Sequence, residues 1–294
     1  MKGDRLGNYE VHRAWEGFSS IRQISSGEIM HSRTDPMVEA RHVYVEQAHL
    51  AQRMGENSSE PLILWDVGLG AAANAMAAME CHEQAASARP LEIVSFEDDL
   101  DPLRLAVANR ESFPYLRLDP ANAILTGGKW QSDSQALTWT LLPGDFRETM
   151  NDAPPPDVIF YDMFSNKTSA ELWSAGIFRR LFERCGNREA ELFTYTCSTA
   201  NRAALLAAGF FVARGRNTGE KIETTIALTP AALRAAPARE RDLLSRDWLA
   251  KWERSAAKFP ADVPGDQHSA FEKVIRGHEQ FRKSSRPVRL LSTT

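Results

Sequence analysis

"LILWDVGLGAAANAM", residues 62–76, decides how this chain is read. Leu62 to Val67 is an apolar run broken only by Asp66, which suits a strand buried on both faces. Gly68 and Gly70 follow at once, and the alanine-rich sequence after them predicts a helix over 71–86. Strand, glycine-thinned turn and helix make the nucleotide-binding corner of an open parallel sheet, where absent β-carbons let a ligand approach the backbone. A close-packed strand–helix join would need the same two glycines, so the turn alone leaves both readings open.

Outward from this corner, strands and helices alternate. "LEIVSF" (91–96) predicts a strand and "DPLRLAVANRE" (101–111) a helix opened by Asp101 and Pro102. Residues 119–136, with Gly127, Gly128 and several serines, predict a loop. "LTWTLL" (137–142), "PDVIFYD" (156–162) and "ELFTYT" (191–196) predict strands, with helices over about 169–184 and in "STANRAALLAAGF" (198–210). "FFVARGR" (210–216) and "KIETTIALT" (221–229) predict two strands joined by a hairpin turn at "NTGE". Repeated βα units imply an α/β fold with a mostly parallel sheet covered on both faces. The closing hairpin, which places one antiparallel strand in that sheet, resembles class I methyltransferases rather than plain dinucleotide-binding domains.

Upstream, "SSIRQIS" and "GEIMHS" predict a small β element within 15–35, and "TDPMVEARHVYVEQAHLAQRM" (34–54) a helix capped by Asp35. Downstream, "RDLLSRDWLAKWERSAAKF" places Leu244, Trp248 and Trp252 four apart on one helix face, and "SAFEKVIRGHEQF" predicts a second amphipathic helix. A packed helical appendage is the favoured reading of these aromatics over a surface that stacks RNA bases. Three segments result: a leader over 1–60, a catalytic domain over 61–229 and a helical basic tail over 230–294.

The 294 residues, 43% hydrophobic and 25% charged, suit a globular protein. A formal net charge of −4 hides an asymmetry: the tail carries +5 and residues 1–229 carry −9. An acidic body is a poor general match for phosphates, which the tail offsets locally. Cys81, Cys185 and Cys197 lack metal-ligand spacing and read as reduced thiols. The first residues have no apolar core of a signal peptide, and no run is long and apolar enough to span a bilayer. The expectation is a cytoplasmic protein. His42 and His49 share a helix face without a clear carboxylate partner, so no metal is expected.

Four acids end four successive strands: Asp66, Glu97, Asp145 and Asp162. Ligands in open α/β sheets bind beyond the carboxyl ends of the strands, so these acids converge on one crevice and point to a nucleotide-type cofactor. Glu97 suits two ribose hydroxyls, although it lies 27 residues beyond Gly70, a longer spacing than dinucleotide folds use. Asp145, after Pro-Gly, suits an adenine amino group or simply a turn.

The resemblance is now specific. "DVGLGAAANAM" is similar to the "E-x-G-x-G-T-G-L-N" turn in the methyltransferase part of the bacterial tRNA 5-methylaminomethyl-2-thiouridine biosynthesis proteins, the MnmC family, and their stand-alone relatives. "SFEDDLDPL" resembles that family's second strand. "DVIFYDMFSNKTSAELW" resembles its "D-x-x-x-x-D-x-F-x-P-x-K-x-P-x-x-W", and "ELFTYTCSTANRAALLAAGF" its "T-x-x-T-x-T…R-x-x-L-x-x-A-G-F". The leader segment "GEIMHSRTDPMVEARHVYVEQAHLAQR" is also similar, so the resemblance covers about residues 15–229. Ala71 and Ala72 replace Thr and Gly of the turn, Met163 stands where Gly or Ala is common, and Asn166 and Ser169 replace two prolines, while Lys167 and Trp173 remain.

The resemblance implies S-adenosylmethionine as cofactor, with Gly68, Gly70 and Asn74 against it, Glu97 on the ribose, Asp145 on the adenine, and Asp66 ordering the turn or meeting the methionyl amine. It implies N-methylation of an aminomethyl group on a tRNA wobble uridine, with Asp162 as the catalytic carboxylate that orients the neutral amine and relays its proton. Lys167 suits a phosphate of the acceptor, and His31 a leader that covers the site. A small-molecule amine is the alternative acceptor. A catalytically weak protein that binds RNA or a partner through a degenerate cofactor turn is the rival from another class. A nicotinamide dehydrogenase is disfavoured by the missing third glycine and the terminal hairpin.

Overall fold

The computed structural model describes residues 3–282 apart from 32–33, 57, 86–87, 166, 218–222 and 236–240. The leader forms an antiparallel sheet of β1 (Arg5–Leu6), β2 (Tyr9–Arg13) and β3 (Ser19–Gln23). The β element thus begins upstream of where the sequence pattern placed it. "SSIRQIS" supplies β3, and "GEIMHS" adds a single bridge, Ile29 opposite Arg22. Tyr9, Val11 and Ile21 turn inward and join the core beneath the main sheet.

Asp35 opens α1 (Pro36–Glu39), its carboxylate accepting from the Met37 and Val38 N–H groups. The single helix expected over 34–54 is interrupted. Ala40–Glu46 widens into π-helical turns, and His49 takes a left-handed φ of 50° before α2 (Leu50–Met54). π-helical insertions of this kind often sit at functional sites, and this one carries Tyr44 fully into the interior.

The main domain runs β4 (Leu62–Val67), α3 (Ala73–Gln84), β5 (Leu91–Glu97) and α4 (Asp101–Ala108), close to the sequence pattern. Next come α5 (Leu118–Gly127) and β6 (Lys129–Gln131), where a loop was expected. Gly128, at φ 69°, closes α5 instead of marking a loop. Then follow β7 (Leu137–Pro143), α6 (Phe146–Thr149), β8 (Val158–Tyr161), α7 (Ala175–Cys185), β9 (Glu191–Thr194) and α8 (Thr199–Ala208). β10 (Phe211–Gly215) and β11 (Thr224–Leu228) pair antiparallel, and the turn expected at "NTGE" lies mostly outside the described residues. The chain continues through α9 (Pro230–Ala235), β12 (Asp242–Leu243), α10 (Arg246–Arg254) and α11 (His268–Gly277).

The nine-stranded sheet has the order β12-β10-β11-β9-β8-β4-β5-β7-β6. β9, β8, β4, β5 and β7 are mutually parallel, and β11 runs against β9, as the hairpin required. This is the class I methyltransferase form of the α/β fold. Two further antiparallel strands, β6 and β12, extend its edges. β4 lies at the centre, and its side chains alternate between two cores. Leu62 and Leu64 face α3 and the leader; Ile63, Trp65 and Val67 face α7, α8, α10 and α11. Trp248 and Trp252 are buried in the second core, as a packed appendage requires. Leu244 joins them, but it precedes α10, which starts after the Ser245 cap.

Glu191 and Gln280 take part in the polar contacts that fasten the tail. Glu191, fully buried on β9, accepts from Arg53 of α2 and from Arg241, each at 2.6 Å. The Gln280 amide meets both backbone groups of Val212 on β10, at 2.7 and 2.8 Å.

Candidate active site at the ends of the central strands

β4 and its parallel neighbours β5 and β8 end on the same side of the sheet; the chain steps from β4 to β5 and β7 on one flank, then crosses back to β8 on the other. This is the switch point where open sheets bind ligands. A cavity of about 1160 Å³ opens there, lined by the turn after β4, by Glu97 to Asp99, by Asp162 to Ser165, and by leader residues including Glu28, Met30, His31 and Glu39.

The turn after β4 alternates left-handed residues: Gly68 at φ 91°, Gly70 at 51° and Ala72 at 65°. A β-carbon on Gly68 would lie 2.7 Å from the Asp162 carbonyl oxygen, so glycine is required for the turn to meet β8. On Gly70 it would meet the Met30 sulfur at 3.1 Å. Ala72 shows that the bend keeps a glycine-type geometry without the third glycine, at a cost on the order of 1–2 kcal/mol.

Glu97 clasps this turn. Its Oε2 accepts from Gly70 N–H at 3.0 Å, and its Oε1 from the Asp98 and Asp99 N–H groups. Burial pushes its carboxyl up to about 8, against the pull of the Gly70 and Asp99 N–H bonds. Asn74, in the first turn of α3, donates Nδ2–H to Asp162 Oδ2 at 2.9 Å. Burial raises the Asp162 carboxyl above its ordinary value, and the His31 charge opposes that rise. Asn74 Oδ1 is buried with no hydrogen-bond partner. Tyr44 and Tyr195 stand close by, both phenols held well above their usual range by burial and by the Asp162 charge.

The leader closes the cavity. Glu28 accepts from the Ser165 N–H at 2.8 Å, from Ser165 Oγ–H at 3.0 Å and from the Thr168 hydroxyl. His31 Nδ1 lies 3.3 Å from Glu39 Oε2.

Of the nine residues singled out in the sequence, Gly68, Gly70, Asn74, Glu97, Asp162 and His31 come together around this cavity. Three do not line it. Asp66 is fully buried within the sheet; its Oδ2 accepts from Ser95 Oγ at 2.8 Å, and its Oδ1 has no partner. Asp145 sits at the expected strand end, but it caps α6 through the Arg147 N–H, and the Arg147 guanidinium holds its carboxyl below the ordinary value. A contact to adenine would have to break that pair. Lys167 is exposed on the loop after β8. Glu28, Glu39 and Tyr44 were not foreseen. Their nearness in sequence to His31 was the available signal, but only tertiary packing brings them to the strand ends. Among the described residues no cluster of His, Cys, Asp and Glu could hold a metal ion, and no helix is long and apolar enough to cross a membrane.

Residues 121–230 match a family model described as S-adenosyl-L-methionine-dependent methyltransferase. The chain is 26% identical over 220 residues to the tRNA 5-methylaminomethyl-2-thiouridine biosynthesis bifunctional protein MnmC of Aeromonas hydrophila, covering 67% of this chain and 32% of that protein. With MnmC of Stutzerimonas stutzeri the identity is 27% over 256 residues, 81% of this chain and 36% of the relative. The chain thus spans about a third of the length of the curated relatives it matches. Among solved structures, MnmC2 from Aquifex aeolicus shares the fold, with a TM-score of 0.64 at 19% identity over 94% of this chain and 85% of that one.

Sheet order, hairpin and family match together define a class I methyltransferase that uses S-adenosylmethionine. Over most of its length the chain is similar in sequence to MnmC proteins.

The residues present fit that cofactor. A cationic sulfonium and α-ammonium suit a cavity rich in carboxylates, and the orphaned Asn74 Oδ1 is a buried acceptor in search of a donor. Glu97 Oε2, which takes one backbone N–H, keeps a further acceptor lone pair.

Proposed function

We propose that this chain N-methylates an aliphatic amine, and that the amine is the aminomethyl group of a tRNA wobble uridine. One observation carries the first part. Among the described residues, the cavity lining holds eight carboxylates and no lysine or arginine. Such a site draws in an ammonium and repels phosphate. The tRNA-modifying names of the relatives support the second part. The phosphates of an RNA acceptor then stay outside while the aminomethyl arm enters.

Gly68, Gly70, Asn74 and Glu97 hold the cofactor in this reading. Bound there, S-adenosylmethionine supplies an electrophilic methyl group on sulfur. The protein's task is to align the amine, free its lone pair and exclude water. An aliphatic amine with a pKa near about 10 is mostly protonated at neutral pH. Asp162, fixed by Asn74, accepts an N–H of the amine and aims its lone pair.

A small-molecule amine is the second reading, favoured by the net −9 of residues 1–229. Incubation with labelled cofactor and tRNA lacking the methyl group, beside an extract of small metabolites, tests both. Label on tRNA alone supports the first reading; label only in the extract replaces it by the second. Asp162→Asn is expected to keep cofactor affinity within a few-fold and to lose about 100-fold or more in transfer rate. Unchanged turnover removes Asp162 from this role.

A further inference from the structure

Asp162 can orient an amine, but it is poorly placed to deprotonate one alone. A carboxylate beside an ammonium stabilises the charged form and so opposes loss of the proton. The proton needs a second acceptor that is neutral before the transfer.

The cavity contains a group that can fill this role once its own ring has released its proton. His31 lies on the segment between β3 and α1 and lines the same space as Asp162. Its backbone N–H donates to Ser20 Oγ at 3.1 Å, which fixes the chain at this point. Its ring Nδ1 faces Glu39 Oε2 at 3.3 Å. With Nδ1–H donating to Glu39, Nε2 is left as the basic nitrogen. We propose that His31 Nε2 takes the proton from the acceptor ammonium, and that Glu39 is the positioning residue that holds the ring and its tautomer. This rests on the amine-methyltransferase reading above.

The step balances within the protein. The N–H bond of the ammonium breaks, an Nε2–H bond forms, and the electron pair stays on the amine nitrogen as its lone pair. His31 then passes the proton to water and is neutral for the next turnover. The charged groups facing it are Glu39 and Asp35 on the α1 side and Asp162 at the end of β8; β3 contributes the uncharged Ser20. Burial alone would push the imidazolium down, but the Glu39 hydrogen bond and the three carboxylate charges raise it above 6.5. Activity that needs neutral His31 therefore rises with pH through that raised value.

Two measurements test the assignment. In single-turnover methylation of the undermethylated tRNA, His31→Gln is expected to lose about 100-fold at pH 7. The deficit is expected to shrink to a few-fold near pH 10, where the free amine forms unaided. An equal rate for variant and wild type at pH 7, or a deficit that stays constant with pH, overturns the proposal. The second needs no substrate: the His31 ring proton is titrated by nuclear magnetic resonance in wild type and Glu39→Gln. The titration is expected to move to lower pH in the variant, and an unmoved midpoint overturns the dyad. A wild-type protein that methylates no amine while the dyad titrates as described overturns the function reading instead.

Discussion

Replacing Asp66 by asparagine separates the stability of the sheet from a charge held inside it. Asp66 is fully buried, Ser95 donates to one of its oxygens, and the other has no partner. Burial lifts its carboxyl from 3.8 to about 7. The unfolded chain releases this proton near pH 4, while the folded protein keeps it. The raised folded value means that the group's contribution is fully present below about pH 4 and is lost as pH climbs towards 7. Each unit is worth about 1.4 kcal/mol, and the slope fades as the folded group itself ionises near 7, so between pH 5 and pH 7 the wild type loses about 2 kcal/mol through this group alone. Asparagine cannot titrate. Against wild type, Asp66→Asn should therefore gain about 2 kcal/mol on passing from pH 5 to pH 7 and little further above pH 8. Urea unfolding of both cofactor-free proteins at pH 5, 6, 7 and 8 measures the difference. Parallel stability curves would refute the reasoning, because they require Asp66 to be ionised already in the folded protein.

The two turn glycines should differ. Both substitutions force a left-handed alanine, but Gly68→Ala also drives its β-carbon against a rigid carbonyl, whereas Gly70→Ala meets the flexible end of Met30; calorimetric titration should show the larger loss of cofactor affinity, at least about tenfold, for Gly68→Ala, and equal losses would contradict this. In the proposed reading Glu97, raised to about 8 in the free protein, holds ribose hydroxyls best when ionised, so affinity should increase several-fold between pH 7 and pH 9 in wild type and stay nearly flat in Glu97→Gln. Glu191→Gln leaves Arg53 and Arg241 facing a neutral group in a buried site and should cost about 3 kcal/mol in unfolding free energy, with little change in cofactor affinity.

The centre of the fold was legible because its signals are local. A buried strand needs a continuous apolar run, and a turn meeting β8 head-on needs glycine, so β4, Gly68 and α3 could be read from 15 residues. The loop expected over 119–136 failed because Gly127 and Gly128 carry two meanings, and here they end a helix. Asp145 shows the limit of reasoning from position. Its place at a strand end was visible, but Arg147 two residues later takes its carboxylate. The outer wall of the site was least legible. Glu28 and Glu39 are ordinary acids in sequence, and they become part of the cavity only when the leader folds back over the loop after β8.

The Gln280 amide has a consequence beyond fastening the tail. It offers β10 a carbonyl and an N–H in the spacing of a peptide group, beside the short strand β12. Together they occupy hydrogen-bonding positions along this border of the sheet that a strand from another molecule would otherwise seek. Shortening the protein before Gln280 would therefore bare the Val212 N–H on this border, while β12 and the Leu244 N–H keep the rest of it covered.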